Sequence, residues 1–165
     1  GMHLPLICDR YEVRDDALPG AGRTRGGAGV VKSQRFLTPG FVTHEADRQE
    51  DAPWGVFGGK DGATGRFTIT NAEKGKHEEL PAKVSGVIVE RGDTVSYYSP
   101  TGGGYGDPLD RDAEKVLDDV LDGFISPDDA RKDYGVVLMK TDDGYDWGLD
   151  VEATRRLRSQ MRVTA

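Results

Sequence analysis

Cysteine is almost absent. Cys8 stands alone in 165 residues, which excludes an internal disulfide framework and suits a reducing compartment. Histidine is scarce too. His3, His44 and His77 are isolated, with no HxH, HExxH or CxxC spacing to pre-assemble metal ligands. No apolar run approaches the ~20 residues of a membrane span, and no basic, apolar leader opens the sequence. The expected location is the cytoplasm, with no membrane partner. Gly1 before Met2 reads as the scar of a cleaved tag, with Met2 as the natural start. Positive charge is in deficit: 22 basic against 29 acidic residues leave a net charge of −7, which argues against a nucleic-acid binder. With 36% hydrophobic and 31% charged residues, the core is expected to be modest and loops plentiful.

Glycine, by contrast, is abundant and uneven: nineteen of 23 glycines precede Asp107. Without a Gly-X-Y period they mark turns. Between them lie short runs rich in Val, Thr, Ile and Tyr at Ile7–Val13, Val30–Phe36, Phe41–Glu45, Gly65–Thr70, Ser85–Val89 and Thr94–Tyr98. These predict strands of a meander, sandwich or small barrel rather than βαβ units. Cys8 falls in the first of these apolar stretches and reads as a packed thiol rather than a nucleophile.

The remainder predicts helices around a hairpin. Asp112 caps a helix with Val116, Leu117, Val120 and Leu121 on one stripe and Gly123 as its stop. Ser126-Pro127-Asp128-Asp129 opens a second, ended by Gly135. Val136–Lys140, a turn at Asp142-Asp143-Gly144, and Tyr145–Leu149 form a hairpin. Asp150 caps a last helix with Ala153, Leu157 and Met161 at four-residue spacing. Its Arg155, Arg156, Arg158 and Arg162 read as a solvated face or a dock for an acidic partner. The predicted fold class is α+β: a mainly antiparallel β part over residues 1–107 and a small helical part with a hairpin over 108–165, together one compact domain.

The glycine-rich motifs fall short of known phosphate loops. Trp54 to Asp61 superficially suggests a Walker A loop, but the leading glycine is one place off and Asp61 stands where magnesium requires Ser or Thr. Gly20-Ala21-Gly22-Arg23-Thr24-Arg25-Gly26 misses the dinucleotide fingerprint by one residue and runs toward a strand. Its two arginines still suit an anion, because guanidinium forks and exposed amides both donate. His44, Glu45 and Asp47 with Arg48 make the densest polar cluster, the basis for an independent metal-dependent hydrolase. No Ser sits in a G-x-S-x-G elbow.

Several of these segments resemble one family. Gly102-Gly103-Gly104-Tyr105-Gly106-Asp107-Pro108, the helix from Asp112 through Asp119-Val120 to Asp122-Gly123, and Ser126-Pro127 through Asp133-Tyr134-Gly135-Val136 resemble the C-terminal end of the hydantoinase B/oxoprolinase family. So do Pro19–Val31, Asp47-Arg48 through Pro53-Trp54-Gly55, and Gly58-Gly59-Lys60, in family order. The family includes the B-type chains of ATP-dependent N-methylhydantoinase, part of 5-oxoprolinase, and subunits of acetone and acetophenone carboxylases. The resemblance implies partners. An A-type subunit carries an actin-like ATP site and phosphorylates a substrate carbonyl oxygen, and a truncated B-type subunit completes the complex. ATP and a divalent metal would act in that assembly, with none bound by this chain and no catalytic residue on it.

The leading expectation is therefore a small subunit or C-terminal domain of an ATP-dependent hydantoinase, oxoprolinase or carboxylase complex, inactive alone. The alternative is a non-enzymatic binding or scaffold module left from a split gene. Candidate substrate or subunit contacts are Arg23, Arg25, Arg48, Trp54, Lys60, Tyr105 and Asp107. Arginine suits anionic or carbonyl-bearing groups and tryptophan supplies rigid contact area, while Asp107 before Pro108 can instead tie down the glycine loop.

Overall fold

The computed structural model describes residues 4–164, so His3 and the Gly1-Met2 junction lie outside the described residues. The chain packs as two units with interleaved sequence. The first takes residues up to Ala17, then Ala28–Pro53 and Ala63–Thr101; the second takes Leu18–Gly27, Trp54–Gly62 and the chain from Gly102 onward. The glycine loops thus fold with the helices rather than with the strands that precede and follow them.

The first unit holds strands β1 (Leu6–Val13), β2 (Val30–Phe36), β3 (Gly40–Glu45), β4 (Arg66–Asn71), β5 (Lys76–Leu80), β6 (Lys83–Val89) and β7 (Thr94–Tyr98). Five of them form an antiparallel sheet in the order β1-β2-β7-β4-β5, while β3 and β6 pair as a separate ribbon. The order is not sequential, so the sheet is no simple meander. Val31, Phe67, Ile69 and Val89 are buried. Among them the Ser33 and Ser96 hydroxyls, paired across β2 and β7, hydrogen-bond to each other at 2.7 Å, so these polar groups are satisfied inside the sheet.

Strand β5 lies outside the runs that composition predicts. Lys76-His77-Glu78-Glu79-Leu80 has no β-branched residue, and it is a strand because it pairs with β4 along the outer edge of the sheet, where charged side chains reach water and discourage further pairing. The expectation for Cys8 is corrected by the same logic at the opposite edge. Its thiol is exposed, because β1 is the other outermost strand and only Leu6 and Arg10 of its eight residues are half-buried.

A carboxylate anchors the β6–β7 turn. Asp93 is fully buried and accepts hydrogen bonds from Asn71 Nδ2 at 2.8 Å, Lys76 Nζ at 2.9 Å and the Glu90 amide at 3.1 Å. Burial works against its charge, but these donors together outweigh it and hold the carboxyl below its ordinary range. A lowered folded-state value means stability present above the unfolded value, near 3.8, and lost as pH falls through the folded one. Asp93→Asn is expected to cost about 2 kcal/mol at neutral pH and to flatten the loss of stability below pH ~4. Thermal melts of both proteins across acid pH check this, and parallel curves would remove Asp93 from the account.

In the second unit, α1 (Ala113–Leu121), α2 (Pro127–Tyr134) and α3 (Val151–Thr164) surround a hairpin of β8 (Leu138–Lys140) and β9 (Trp147–Leu149). The cap residues act as their chemistry requires. Asp112 accepts from the Glu114 amide at 3.0 Å, Ser126 and Asp129 form a reciprocal capping box, and Asp150 accepts from the Ala153 amide at 2.9 Å. Gly135 ends α2 at φ +61°, a left-handed turn that suits a residue without Cβ. Val116, Val120, Ile125, Ala130, Tyr134 and Val136 form the core, with Ala21 from the first glycine loop among them. The Tyr134 hydroxyl is buried without a partner among the described residues, and burial above all pushes its pKa up to about 12.

The arginines of α3 are not simply a solvated face. Arg158 donates to the carbonyls of Tyr134 at 2.9 Å and Arg111 at 2.7 Å. Arg162 donates to Leu109 O at 3.2 Å and to the Asp110 carboxylate at 2.6 Å. Both lash the helix to the segment preceding α1, and Arg158 also to the end of α2.

Candidate functional site

Three glycine loops, 18–27, 54–62 and 102–107, interlock through their backbones in the second unit. Gly20 N donates to Gly102 O at 2.9 Å and Gly102 N to Gly27 O at 2.8 Å. Thr24 and Tyr105 exchange both amide hydrogen bonds, at 3.0 and 2.9 Å. The middle loop joins through Val56 N to Gly104 O at 2.9 Å, Gly106 N to Val56 O at 2.8 Å, Lys60 N to Ala21 O at 2.7 Å and Gly104 N to Lys60 O at 2.8 Å. At Gly20, Gly26, Gly59, Gly103 and Gly104 an added Cβ would come within 3.0 Å of a backbone atom of a neighbouring loop. Glycine is required here for close approach of main chain to main chain.

This interlock answers the phosphate question. The amides of Gly55, Val56, Gly59 and Lys60, which a nucleotide cradle would aim at phosphate oxygens, donate instead to Asp61 Oδ1, Gly104 O, Val56 O and Ala21 O. The Lys60 ammonium pairs with Asp133 at 2.6 Å. The residues present do not fit a nucleotide. Among the described residues no group of three or more His, Cys, Asp or Glu is placed to hold a metal ion. In the first unit, the ring of His44 lies flat on Phe67, with centroids 3.9 Å apart and planes within 8°. Burial lowers its pKa, and its Nε2 is buried without a hydrogen-bond partner among the described residues. It packs as an aromatic, and it borders a small surface cavity with Glu45 and Lys83 but not Asp47.

The loops also lift side chains to the surface. Trp54 is 63% exposed, Phe57 78% and Tyr105 45%. Phe57 and Tyr105 meet edge to face with centroids 5.4 Å apart, and the Arg23 guanidinium lies over the Tyr105 ring at 5.8 Å. Phe57 has φ +53°, a left-handed conformation that a bulky aromatic rarely adopts and that costs about 1 kcal/mol or more. The neighbouring hydrogen bonds of Val56 and Gly59 hold it there. Phe57 is absent from the candidates that the sequence offers, since exposure and positive φ leave no pattern in the residue order.

Of the seven candidate contacts, Arg23 and Tyr105 meet at this aromatic cluster, and Trp54 is exposed three residues before Phe57 on the same loop. Arg25 turns inward: it donates to Asp119 Oδ1 at 3.1 Å and to Gly26 O at 3.0 Å, and its guanidinium stacks 4.4 Å from the Phe124 ring. Lys60 is tied to Asp133, and Asp107 accepts from the Leu109 amide at 2.8 Å, capping a short 3-10 turn over Pro108–Asp110. Arg48 belongs to the first unit. There, at φ +64°, it borders a cavity of about 640 Å³ with Asp47, Gln49 and Lys83.

Two solved structures share this architecture, both of much larger proteins. Acetone carboxylase in its nucleotide-free form superposes with a TM-score of 0.72 at 23% identity, over 97% of this chain and 25% of that one. The ATP-dependent caprolactamase of Pseudomonas jessenii superposes with a TM-score of 0.72 at 28% identity, over 94% of this chain and 26% of the other. The α+β arrangement is thus a module of large proteins described as ATP-dependent. The chain belongs to the hydantoinase B/oxoprolinase family, whose pattern matches residues 2–108. A protein described as the B component of a D-/L-hydantoinase, from Pseudomonas sp. strain NS671, is 41% identical over 157 residues, covering 94% of this chain and 25% of the relative. The chain therefore spans about a quarter of the length of the relatives it matches. No helix among the described residues is long and apolar enough to cross a membrane.

Proposed function

We propose that this chain is an assembly module of an ATP-dependent cyclic-amide hydrolase or related carboxylase, and that it supplies a contact face rather than the reacting groups. The observation that carries the reading is the exposed cluster of Phe57, Tyr105 and Arg23, with the exposed Trp54 on the same loop as Phe57, set on an interlock of hydrogen-bonded glycine loops. Aromatic and Arg side chains presented without conformational freedom are what protein interfaces use as anchors. The partner surface belongs to the remaining three-quarters of a B-type chain, on the same polypeptide or a separate subunit, or to the A-type subunit that supplies ATP-dependent activation. In the assembly ATP and a divalent metal act on groups outside this chain. Arg25, Lys60 and Asp107 keep the loops in shape.

The test is reconstitution. The isolated chain should show no ATP turnover and open no hydantoin or lactam ring, whereas mixing it with A-type and B-type chains should restore ATP-dependent ring opening or carboxylation. Trp54→Ser with Phe57→Ser should leave the melting temperature within about 2 °C yet weaken assembly at least about tenfold, as loss of an anchoring aromatic does. Turnover by the chain alone, or a complex indifferent to both substitutions, refutes the reading. An inert chain that changes no neighbouring enzyme would favour a scaffold module instead.

A further inference from the structure

Helix α3 carries a second surface that the aromatic face does not explain. Arg155, Arg158 and Arg162 recur at intervals of three and four residues, so they share one stripe of the helix, about 10 Å long. With Ser159 they border a groove of about 350 Å³ whose apolar lining includes Val151 and Ala113. Two of the cations have exposed carboxylate neighbours: Arg155 pairs with Glu152 at 3.0 Å and Arg162 with Asp110 at 2.6 Å. Exposed pairs of this kind hold their partners weakly.

Arg158 is different. It is half-buried, its Nε and Nη2 donate only to the carbonyls of Tyr134 and Arg111, and among the described residues no carboxylate pairs with it. Two carbonyls orient a guanidinium but do not neutralise it, and a partly desolvated cation without a counter-charge is costly to keep. Burial first, then the nearby Arg162 charge, push its pKa down, against the opposing pull of Asp110, Asp112 and Asp107. The fold thus maintains a pre-oriented positive charge at the edge of an open groove.

We propose that this groove docks an acidic segment of a partner protein, whose carboxylates, spaced one helical turn apart, pair with Arg155, Arg158 and Arg162. Spread along about 10 Å of the helix, the stripe suits a row of carboxylates at one-turn spacing better than a single small oxyanion. The apolar stems and Val151 give the backbone of such a segment a surface to lie on. The site is independent of the aromatic face and of the enzymatic reading above.

Two measurements test it. Ser159→Glu places a carboxylate inside the groove, beside Arg155 and Arg162 on the helix, and should melt a few degrees higher than Ser159→Gln at low salt. The difference should vanish near 1 M salt, where screening acts within about 3 Å. In the second, a fluorescent helical peptide with Glu at one-turn spacing should bind the wild-type chain at least about tenfold more tightly than its Gln counterpart. That affinity should fall with salt and drop by a similar factor in Arg155→Glu and in Ser159→Glu, both verified as folded by circular dichroism. Equal binding of the Glu and Gln peptides overturns the proposal, as does no gain from Ser159→Glu over Ser159→Gln. Complete displacement of the peptide by millimolar inorganic phosphate would also overturn it, showing a small-anion site.

Discussion

Gly104→Ala is expected to destabilise the protein by about 3 kcal/mol or more, the upper part of the range for overpacking a rigid site. Its new Cβ would overlap the carbonyl of Ala21. That carbonyl cannot swing away without losing the 2.7 Å hydrogen bond from Lys60 N, and Gly104 itself bridges Lys60 O and Val56 N. A clash with a flexible side chain relaxes cheaply; one between two main chains that are each hydrogen-bonded does not. For a protein of this size the melting temperature should fall by about 10 °C. Gly27→Ala is the internal control, because Gly27 sits in the same loop system with nothing within 4 Å of its Cβ position, and its effect should be under about 0.5 kcal/mol. Equal melting temperatures for the two variants would show that the loops are looser than their hydrogen bonds imply.

Removal of a buried charge should act on a similar scale. Asp119, with a side chain only 8% exposed, accepts from Arg25 Nε at 3.1 Å and from Arg111 Nε and Nη2 at 3.1 and 2.8 Å. It joins α1 to the first glycine loop and to the segment preceding α1. Asp119→Ala leaves two largely buried guanidinium groups facing each other without an anion, and is expected to cost about 3–5 kcal/mol. Asp119→Asn, which keeps the shape and one acceptor, should cost less. Chemical denaturation with a common m-value checks the order. If Asn proves as damaging as Ala, shape counts for nothing and charge alone is at work.

Much of the fold is legible in the residue order where the signal is local. Val30–Phe36 and Thr94–Tyr98 are rich in strand formers and are strands; Ser126-Pro127 followed by Asp129 announces a capping box and forms one. What is hidden is whatever depends on a distant partner. Lys76–Leu80 is a strand only because Phe67 to Asn71 offers it hydrogen bonds. Arg25 looks like Arg23, two residues earlier, yet one meets Asp119 and the other lies over Tyr105; the difference resides ninety-four positions along the chain. Of the exposed aromatics on the glycine loops, Trp54 and Tyr105 are already suspect from the motifs that hold them. Phe57 is not, because its exposure follows from a backbone conformation that the loops impose on it.

The interleaving of the two units has a consequence for how the chain must come into being. All of the first unit's residues precede Gly102, whereas the second takes its third glycine loop and its three described helices from the chain beyond Thr101. During synthesis the loops 18–27 and 54–62, which share the Lys60 N to Ala21 O hydrogen bond, therefore lack most of their partners until the 102–107 segment emerges. Loop 18–27 is rich in glycine and arginine and offers few apolar contacts to neighbouring nascent chains, whereas Trp54, Val56 and Phe57 give loop 54–62 apolar surface throughout the wait. Closing them over a separation of some eighty residues is a step of high contact order, so the last event of folding should also be the slowest.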